Sequence, residues 1–335
     1  MQEKATIETV ARRAGVSKST VSYVLSGKRK ISREIQERVL KAARELNYRP
    51  NQIARSLSQQ ETRIIGLYVP HRNRRRSGDF YFYSMLEGVL DSLDAEGYRL
   101  LLNTSGNRPD DAEDPLGTAL PIDGGILMNL RKDHAYLNRL QEERKPFVAI
   151  GTPDTTDEVF YVDVDLVSAS FLATRHLFGR GARRIFFINS PEDFIQSRQR
   201  LEGYTLGHSE LGLEVDKALV ARSDFKTEDG YGATRKALDA KLSFDAVLCC
   251  NDNVALGAIN ALREAQIAVP DKIPVMGMGG SAIGGITSPA ITTVDFSPYD
   301  MGSLAAKLLI EVIQRKRIQP CHTILSPKLI IRETA

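Results

Sequence analysis

The chain has few of the residues and segments that mark membrane, secreted or metal-binding proteins. It has three cysteines, Cys249, Cys250 and Cys321, and their spacing is not that of metal ligands. No apolar run approaches the ~20 residues needed to cross a bilayer, and the amino-terminal MQEKATIETV lacks the apolar segment of a secretory signal. These absences favour a cytoplasmic protein without a metal centre, in which the paired cysteines of AVLCC are buried strand residues.

The sequence also lacks the motifs of common catalytic sites. There is no G-x-S-x-G elbow, no HExxH and no P-loop, and the five histidines are scattered: His71, His134, His176, His208 and His322. The segment GMGGSA follows an apolar strand and mimics a dinucleotide-binding fingerprint. That fingerprint must open a helix, but Gly284, Gly285 and Pro289 follow at once. We therefore predict that the chain is not an enzyme and uses no cofactor.

Charge is distributed unevenly along the 335 residues. Residues 1–60 hold 13 Lys and Arg against 5 Asp and Glu, whereas the rest of the chain holds 32 against 37. The net charge of +3 therefore combines a basic head with an acidic body. A compact basic segment is typical of a duplex-binding module, because neutralising phosphates releases counterions. The length, with 42% hydrophobic residues, favours two or three folded units.

The head has the pattern of a helix-turn-helix domain. Apolar residues at helical spacing predict a first helix over 6–14, with Thr6 as its N-cap and Gly15 at its end. Ser17 is placed to cap a second helix, and a third is predicted to start at Ser32 and to bury Ile35, Val39, Ala42, Ala43 and Leu46. The second helix of such a cluster enters the major groove, so its outward side chains are candidates for DNA contact.

The words TIETVARRAGVSKSTVSYVLSGKRKIS and ELNYRPNQIARSL resemble the DNA-binding head of the LacI/GalR family of bacterial transcription regulators. The resemblance implies base contacts by Lys18, Ser19 and Tyr23, with Tyr23 standing where an arginine is common. It implies phosphate contacts by Thr6, Ser17, Thr20 and Ser22. Base contacts specify a DNA sequence while phosphate contacts position the protein, so the tyrosine bears on the operator and not on the function. An ordinary solvated helix face is the alternative for Lys18 and Tyr23.

The segment 51–58 is a helical candidate too short to be stable alone in water. The family resemblance implies a hinge helix that orders on DNA, with Asn51, Ala54 and Leu57 at the minor groove and Leu57 wedged between two base steps. Such a wedge bends the duplex, and the additional protein–DNA interactions that the bend allows offset the cost of unstacking. A linker residue packed on the body is the alternative for Leu57.

From Ile64 onward, short apolar strands alternate with longer amphipathic segments, the pattern of parallel sheets covered by helices. The first unit contains the predicted strands IIGLYV, YRLLLN, GGILMNL and FVAIG, and a second unit repeats the pattern with RIFFIN, AVLCCN and PVMGMG. We predict an α/β body of two parallel-sheet lobes with a small all-α helix-turn-helix head. Ligands of open α/β sheets bind beyond the carboxyl ends of the strands, which predicts a site in the cleft between the lobes.

The family resemblance extends more loosely over the body, through SRQRLEGY, NDNVALGAINALREAQIAVPDKIPVMG and ITTVDFSPYDMG. It implies a body like a periplasmic sugar-binding protein, with DNA binding at 1–50, a hinge helix and linker at 51–62, and effector binding and dimerisation at 63–335. Lobe one is then expected at about 63–163 plus 291–322, and lobe two at about 164–290 plus 323–335.

Positions that match the family's effector contacts are Asp79, Phe80, Phe82, Arg198, Arg200, Phe225 and Asn251. Aromatic faces can cover the apolar side of a sugar or purine ring, while Arg and Asn donors satisfy its polar edge. Surface ion pairing is the alternative for the two arginines, and core packing is the alternative for Phe225.

One departure from the family concerns the chemistry of the effector. The family commonly has two acidic residues after the strand that ends at Met278, whereas this chain has Gly279 and Gly280. A basic run, Arg72 and Arg74 to Arg76, is expected near the cleft mouth. Loss of an acid and gain of cations favour an anionic effector such as a phosphorylated sugar. A solvated charged loop is the alternative.

Together these features predict a sequence-specific transcriptional regulator, with a repressor favoured, controlled by a sugar or phosphorylated sugar. We expect a homodimer on a pseudo-palindromic double-stranded operator, because one short recognition helix reads too few bases. Nothing after Ile331 resembles a heptad tail, so dimers are expected rather than tetramers. A free-standing sugar-binding protein is the alternative, and an NAD-dependent oxidoreductase is a weaker one.

Overall fold

The computed structural model describes residues 5–26, 29–48, 61–69, 80–103, 121–128, 135–153, 159–317, 319 and 321–335. The chain divides into two compact units, residues 1–62 and 63–335. In the described ranges the first unit, the head, is helical, and the second, the body, contains strands and helices in alternation.

The described part of the head contains three helices: α1 (Ile7–Ala14), α2 (Lys18–Ser26) and α3 (Arg33–Glu45). The Thr6 hydroxyl accepts a hydrogen bond from the Thr9 N–H at 3.3 Å, and Ser17 Oγ accepts one from the Thr20 N–H at 3.2 Å. Both predicted caps are thereby confirmed. Gly15 ends α1 with a left-handed φ of 65°, as glycine readily allows. The apolar faces meet in a core of Val10, Ala11, Ala14, Val21, Val39, Ala42 and Ala43, with Ile35 and Leu46 partly buried at its margin.

A side chain of α3 fixes the turn between α1 and α2. Arg38 donates from Nε and Nη2 to the carbonyl oxygen of Ala14, at 3.2 and 2.5 Å, and from Nη2 to that of Gly15 at 3.2 Å. These charge-assisted hydrogen bonds satisfy carbonyl groups that the end of α1 leaves open. The third helix therefore holds the angle at which α2 leaves the turn.

The elements of the body follow in chain order. They are β1 (Ile64–Tyr68), α4 (Phe80–Ala95), β2 (Arg99–Asn103), β3 (Gly124–Met128), α5 (Ala135–Glu142), β4 (Phe147–Ile150), β5 (Tyr161–Val164), α6 (Leu166–Gly179), β6 (Ile185–Asn189), α7 (Ile195–Glu210), β7 (Val220–Arg222), α8 (Thr227–Asp239), β8 (Ala246–Cys249), α9 (Asp252–Glu264), β9 (Val275–Gly279), α10 (Ile283–Ile286), β10 (Thr292–Asp295), α11 (Pro298–Ile313), β11 (His322–Leu325) and β12 (Lys328–Ile330).

Two six-stranded sheets organise the body. The sheet of lobe one has the order β11-β5-β4-β3-β1-β2, and all its pairs are parallel. The sheet of lobe two has the order β12-β10-β9-β8-β6-β7, with β12 antiparallel. Central strands such as β3, β8 and β9 are buried along their whole length, which explains their continuous apolar sequences. The predicted two-lobed α/β fold is confirmed.

Helices pack in pairs against the sheets: α4 with α11, α6 with α7, and α8 with α9. A Cβ on Gly88 would overlap the Tyr299 carbonyl oxygen, and one on Gly203 would overlap that of Val167. In the third pair a Cβ on Gly257 would likewise overlap the Thr227 carbonyl oxygen. Glycine at these points lets the helix backbones touch, and the close approach leaves no room for a side chain.

The chain crosses between the lobes after β5, after β10 and after β11, within the ranges that the structure describes. The last two crossings lie one strand later than predicted. Thr292 pairs with Met276 of β9, so β10 belongs to lobe two and the return to lobe one is made by α11. Thr323 pairs with Val162 of β5, so β11 belongs to lobe one. Strand composition alone does not determine which sheet edge a strand joins, because partners are chosen by tertiary packing.

One further bound differs. The sequence pattern of the second unit predicts a helix over 200–210, whereas α7 starts at Ile195, about one turn earlier. A one-turn helix, α10, does follow the Gly-rich segment after β9, where no helix was expected. Cys249 and Cys250 are buried, as predicted. No helix in the described ranges is long and apolar enough to span a bilayer, and no group of three or more His, Cys, Asp or Glu there is placed to hold a metal.

Candidate functional site

The outer face of α2 carries the residues predicted to contact DNA bases. Lys18 and Ser19 are exposed, while Tyr23 is half-buried. Ser22, a predicted phosphate contact in the same helix, is exposed as well. The Arg29 guanidinium lies over the Tyr23 ring, 5.3 Å from its centroid. A cation on an aromatic face is attractive and restrains the ring. The base-contact candidates therefore lie along one side of the helix, with the tyrosine held at its carboxyl-terminal half.

Lys18 forms an ion pair with Glu8 of α1. The hydrogen bond and positive charge of Lys18 lower the pKa of the Glu8 carboxyl group. In the chain without DNA, Lys18, the cation predicted to contact a base, is therefore bound to the carboxylate of Glu8. A contact of Lys18 with a base must replace this pair. The side chain carries one ammonium group, which cannot lie beside Glu8 and at a base edge at the same time.

Two of the predicted phosphate contacts, Thr6 and Ser17, directly precede the first two helices, whereas Thr20 and Ser22 lie within α2. Thr6 and Ser17 are exposed, and each hydroxyl accepts from the backbone of its own helix. The Ser17 hydroxyl is also 2.8 Å from the hydroxyl of Thr20. Helix amino termini are ready anion sites because their N–H groups point outward. The predicted hinge residues Asn51, Ala54 and Leu57 lie outside the described residues.

A cavity lies between the two lobes of the body, at the carboxyl ends of both sheets, where a ligand site was expected. Five aromatic side chains line it: Tyr81, Phe82, Phe194, Phe225 and Phe296. Its polar lining consists of Asp163, Gln196, Arg200, Cys250 and Asn251 among the described residues. Broad aromatic faces with a few polar groups are typical of small-molecule sites.

Four predicted effector residues line this cavity: Phe82, Arg200, Phe225 and Asn251. Phe80 and Arg198 are not among its described lining residues. Arg198 is exposed because two positions along α7 rotate a side chain by about 200°, so Arg198 and Arg200 cannot face the same side. Asp79 and the basic run from Arg72 to Arg76 lie outside the described residues.

Asn251 and Phe225 are joined in the wall of lobe two. Asn251 Oδ1 accepts from the Val254 N–H at 2.8 Å and so caps α9, while its Nδ2 donates to the Phe225 carbonyl oxygen at 3.0 Å. Phe225 has a left-handed φ of 71°, which is unusual for an aromatic residue. Its ring meets that of Phe194 edge to face, with centroids 5.8 Å apart. The amide of Asn251 thus supports an aromatic wall and caps a helix at once.

Arg200 is buried in the cavity wall of lobe two, 7% exposed. Its Nη1 donates to Ser190 Oγ at 3.3 Å, and its Nε has no hydrogen-bond partner among the residues that the structure describes. Burial lowers the pKa of the guanidinium, and Cys250, Tyr81 and Asp163 oppose that effect. Arginine still remains charged in proteins, so the site contains a cation with unused donors.

Asp163 is a site residue that the sequence analysis missed. It is 3% exposed and lies at the carboxyl end of β5 in lobe one. Its Oδ2 accepts from the N–H and the hydroxyl of Thr152, both at 2.7 Å, and its Oδ1 accepts from the Val164 N–H at 2.8 Å. Burial raises the pKa of Asp163, and the Thr152 hydrogen bonds oppose it. The sequence offers one indication of this role. Asp163 is the polar residue of the strand YVDV, and side chains alternate along a strand, so it faces the opposite side from Val162 and Val164.

The lobes approach each other at two glycines. A Cβ on Gly151, at φ 100°, would lie 2.8 Å from Nε2 of Gln196, and one on Gly279, at φ 114°, would lie 3.4 Å from Cδ2 of Tyr81. Both positions need a backbone that only glycine adopts easily. At Gly279, noted in the sequence as a departure, it is therefore the left-handed backbone and not a lack of space beside Tyr81 that favours glycine.

Asp252 lies behind the cavity wall and joins three segments of lobe two. Its Oδ2 accepts from the N–H and hydroxyl of Ser281, at 2.7 and 2.8 Å, and its Oδ1 accepts from the Thr293 hydroxyl at 2.6 Å. Burial raises its pKa to about 6, although these hydrogen bonds and Arg332 oppose the shift. The carboxylate thus ties the start of α9 to the loop after β9 and to β10.

The chain matches known proteins over both of its units. Residues 6–51 match the model for bacterial regulatory proteins of the lacI family, and residues 174–335 match the periplasmic binding protein-like domain. Over 340 residues the chain is 32% identical to the HTH-type transcriptional regulator CelR of Thermobifida fusca, covering 99% of each. It is 30% identical over 341 residues to the HTH-type transcriptional repressor PurR of Mannheimia succiniciproducens, covering 98% of each.

Solved structures agree with the fold. A complex of the transcriptional regulator CelR with cellobiose superposes with a TM-score of 0.77 at 31% identity, covering 99% of this chain and 100% of that one. The lac repressor dimer bound to operator and the anti-inducer ONPF superposes with a TM-score of 0.88, covering 99% of each chain. Its identity of 22% makes this second likeness one of fold alone.

Proposed function

This chain belongs to the LacI family of bacterial regulatory proteins, and we propose that it represses transcription by binding a pseudo-palindromic operator as a homodimer. The relatives CelR and PurR are HTH-type transcriptional regulators, and this chain, which they match over nearly its whole length, is a transcriptional regulator. The observation that carries the operator proposal is the exposed face of α2, where Lys18, Ser19 and Ser22 are held by a compact helical head. Such a face fits the major groove.

The dimer follows from the size of that face. One recognition helix reaches the edges of a few base pairs, whereas two helices related by two-fold symmetry read paired half-sites and multiply the specificity. We propose that the hinge segment 51–58 adds a minor-groove contact through Leu57, with Asn51 and Ala54 beside it. The hinge contact rests on the sequence, since the segment lies outside the described residues.

The cleft between the lobes is proposed to bind a small effector, either a sugar or a phosphorylated sugar. Its support is the pairing of aromatic faces with Arg200 and Asp163 in one cavity. The relative CelR has been solved with cellobiose. Because both lobes supply lining residues, a ligand that contacts both of them favours a closed arrangement of the lobes. If the closed and open arrangements differ in affinity for the operator, the ligand changes operator binding through this preference.

The operator proposal is tested by selection from DNA. The purified full chain is incubated with a randomised duplex pool at near-physiological salt, and the bound duplexes are sequenced. We expect enrichment of a site with two-fold symmetry, whose half-sites are about one helical turn apart or closer. The same selection with Lys18→Ala is the control, and it should retain the symmetry while losing preference at one position of each half-site. Binding of all duplexes without enrichment would overturn the proposal.

A further inference from the structure

A cation from outside α2 lies on the face of the head that carries the predicted base contacts. Arg29 is exposed and follows the end of α2, and its guanidinium group lies over the half-buried ring of Tyr23, 5.3 Å from the ring centroid. Tyr23 lies four residues after Ser19, so the two side chains share one side of the helix. The ring therefore places the charge of Arg29 beside the surface that is proposed to enter the major groove.

The contact with the ring distinguishes Arg29 from other arginines of the head. Arg13 is paired with Glu45 at 3.1 Å, and Arg38 donates to the Ala14 carbonyl oxygen at 3.2 Å. Arg29 makes no hydrogen bond and no ion pair with the residues that the structure describes. An aromatic face attracts a cation without accepting a hydrogen bond from each N–H group, and a guanidinium has five such donors. Arg29 therefore presents donors that the described head does not use.

Arg29 and Lys18 differ in what DNA binding must change. Lys18 is paired with the Glu8 carboxylate, and this pair must open before the ammonium group reaches a base. Arg29 has no carboxylate to leave among the described residues, and the Tyr23 ring restricts where its guanidinium lies. Fixing a long, flexible side chain costs conformational entropy, and a side chain that is already restrained loses less of it. Arg29 is thus prepared for a contact with a defined direction.

A contact with a defined direction suits a base edge. The donors of a guanidinium form a planar fork that fits two neighbouring acceptors, and guanine presents O6 and N7 in this arrangement in the major groove. Adenine presents one acceptor beside a donor, and cytosine presents a donor. A phosphate contact would require the charge of Arg29 and would carry no sequence information. The restrained guanidinium on the recognition face therefore favours guanine.

We propose that Arg29 reads a guanine in each half-site of the operator, and that the ring of Tyr23 is the residue that positions it. This proposal rests on the proposed function, because it assigns one base contact of the operator interface. It gives Tyr23 a positioning role through its ring, in addition to the base contact predicted for its side chain. Tyr23 and Lys18 are about 7 Å apart along the axis of α2, so Arg29 and Lys18 should determine different base pairs.

The first test repeats the selection from a randomised duplex pool with the full chain carrying Arg29→Ala or Arg29→Lys. The unmodified chain should select a guanine at one fixed position of each half-site, separate from the position that Lys18→Ala relaxes. Both Arg29 variants should lose this guanine, keep the rest of the symmetric site, and bind the preferred operator about 10- to 100-fold more weakly. Arg29→Lys keeps the charge but removes the planar fork, so its loss of preference reports the fork.

Arg33→Ala is the matched control for charge. Arg33 is an exposed arginine at the start of α3 that is paired with Glu37. Its substitution removes the same charge from the head, and the selected sequence should be that of the unmodified chain. Arg29→Ala should differ from this control in base preference, and not only in affinity.

The second test asks whether the ring positions Arg29. Tyr23→Phe keeps the aromatic face and should retain the guanine, whereas Tyr23→Leu removes the face and should lose most of the preference although Arg29 is still present. Loss of the guanine in both variants would assign that position to the Tyr23 hydroxyl and overturn the positioning role. Should Tyr23→Leu fail to fold, the result for Tyr23→Phe and the two Arg29 variants still decide the proposal.

A phosphate contact by Arg29 would give a different result. Arg29→Ala would then weaken binding to all duplexes about equally, reduce the salt dependence of binding, and leave every base preference unchanged, which contradicts the proposal. In that case the symmetric operator and the proposed function would stand. If the unmodified chain enriched no sequence, the proposed function and the assignment of Arg29 would both be overturned.

Discussion

Asn251 holds Phe225 against the cavity through a hydrogen bond of 3.0 Å from its Nδ2 to the Phe225 carbonyl oxygen. The same side chain caps α9 through Oδ1. Since Phe225 has a φ of 71°, its backbone needs an external restraint to stay in that conformation. The position of an aromatic ring in the proposed effector site is therefore set by a helix cap on a neighbouring segment.

We expect Asn251→Ala to lower the free energy of unfolding by about 1 kcal/mol through loss of the cap. It should also weaken binding of any cleft ligand, because Phe225 loses its restraint. Urea denaturation measures the first effect and calorimetry the second. Asn251→Asp is the control for the cap, since it keeps the acceptor for the Val254 N–H and removes the donor to Phe225. Equal ligand affinity in all three proteins would show that Phe225 needs no such support.

Glu8→Gln should strengthen DNA binding a few-fold. The substitution removes the partner that holds Lys18 in the isolated chain, so less interaction is lost when the lysine turns to DNA. Glu37→Gln changes the net charge equally but removes the partner of Arg33 on α3 instead. Affinity for the selected operator, measured over a range of salt concentrations, separates the two. A matching gain in both variants would indicate a general charge effect and not release of Lys18.

Lys18→Ala and Ser22→Ala should differ in kind. Loss of a base contact relaxes preference at one position in each half-site and costs about 1–3 kcal/mol on the preferred sequence. Loss of a phosphate contact weakens binding to all sequences about equally. Competition between the selected operator and single-base variants distinguishes these outcomes. Unchanged base preference in the Lys18→Ala protein would mean that another residue of α2 reads that position.

Leu57→Ala should reduce specific binding far more than nonspecific binding. A wedge between base steps is useful only on a sequence that bends, so its loss leaves the general phosphate attraction intact. Binding to the selected operator and to an unrelated duplex, measured side by side, gives the ratio. Equal losses on both duplexes would contradict the minor-groove assignment of Leu57.

The buried carboxyl of Asp252 should give lobe two a pH-dependent stability. Its pKa in the folded chain is about 6 against an ordinary 3.8, so unfolding releases a proton between these values. Its contribution to the free energy of unfolding should fall by roughly 3 kcal/mol as the pH rises through this window, and stay constant above it. We expect Asp252→Asn to remove this slope, because the hydroxyl groups of Ser281 and Thr293 can turn to accept from an amide.

Urea denaturation of both proteins from mildly acidic to neutral pH tests this expectation, taking the difference between them at each pH. Asp216→Asn is a suitable control, since Asp216 is a partly exposed carboxylate that pairs with Arg184 at the surface. Identical pH profiles for the unmodified chain and Asp252→Asn would show that the buried carboxylate does not govern stability in this range.

Helix caps and strand positions could be predicted from the sequence because their causes are local. Thr6, Ser17 and Gly15 each act within a few residues of their own position, and the apolar runs of β3, β8 and β9 report burial directly. The resemblance to the family likewise follows the chain residue by residue, so the sequence alone pointed to Arg200, Phe225 and Asn251 as cleft residues. Arg198 was misplaced because the helical rotation around α7 decides which of two nearby arginines faces the cleft.

The sequence by itself therefore determined the helix-turn-helix head, the two α/β lobes and the class of protein, since each of these depends on local pattern or on continuous similarity. Only the tertiary structure decided that β10 and β11 belong to opposite sheets, and that Asp163 and Arg200 face one cavity from opposite lobes. These relationships join segments that are far apart in the chain. The local sequence around a residue does not identify the distant residue that packs against it in the folded protein.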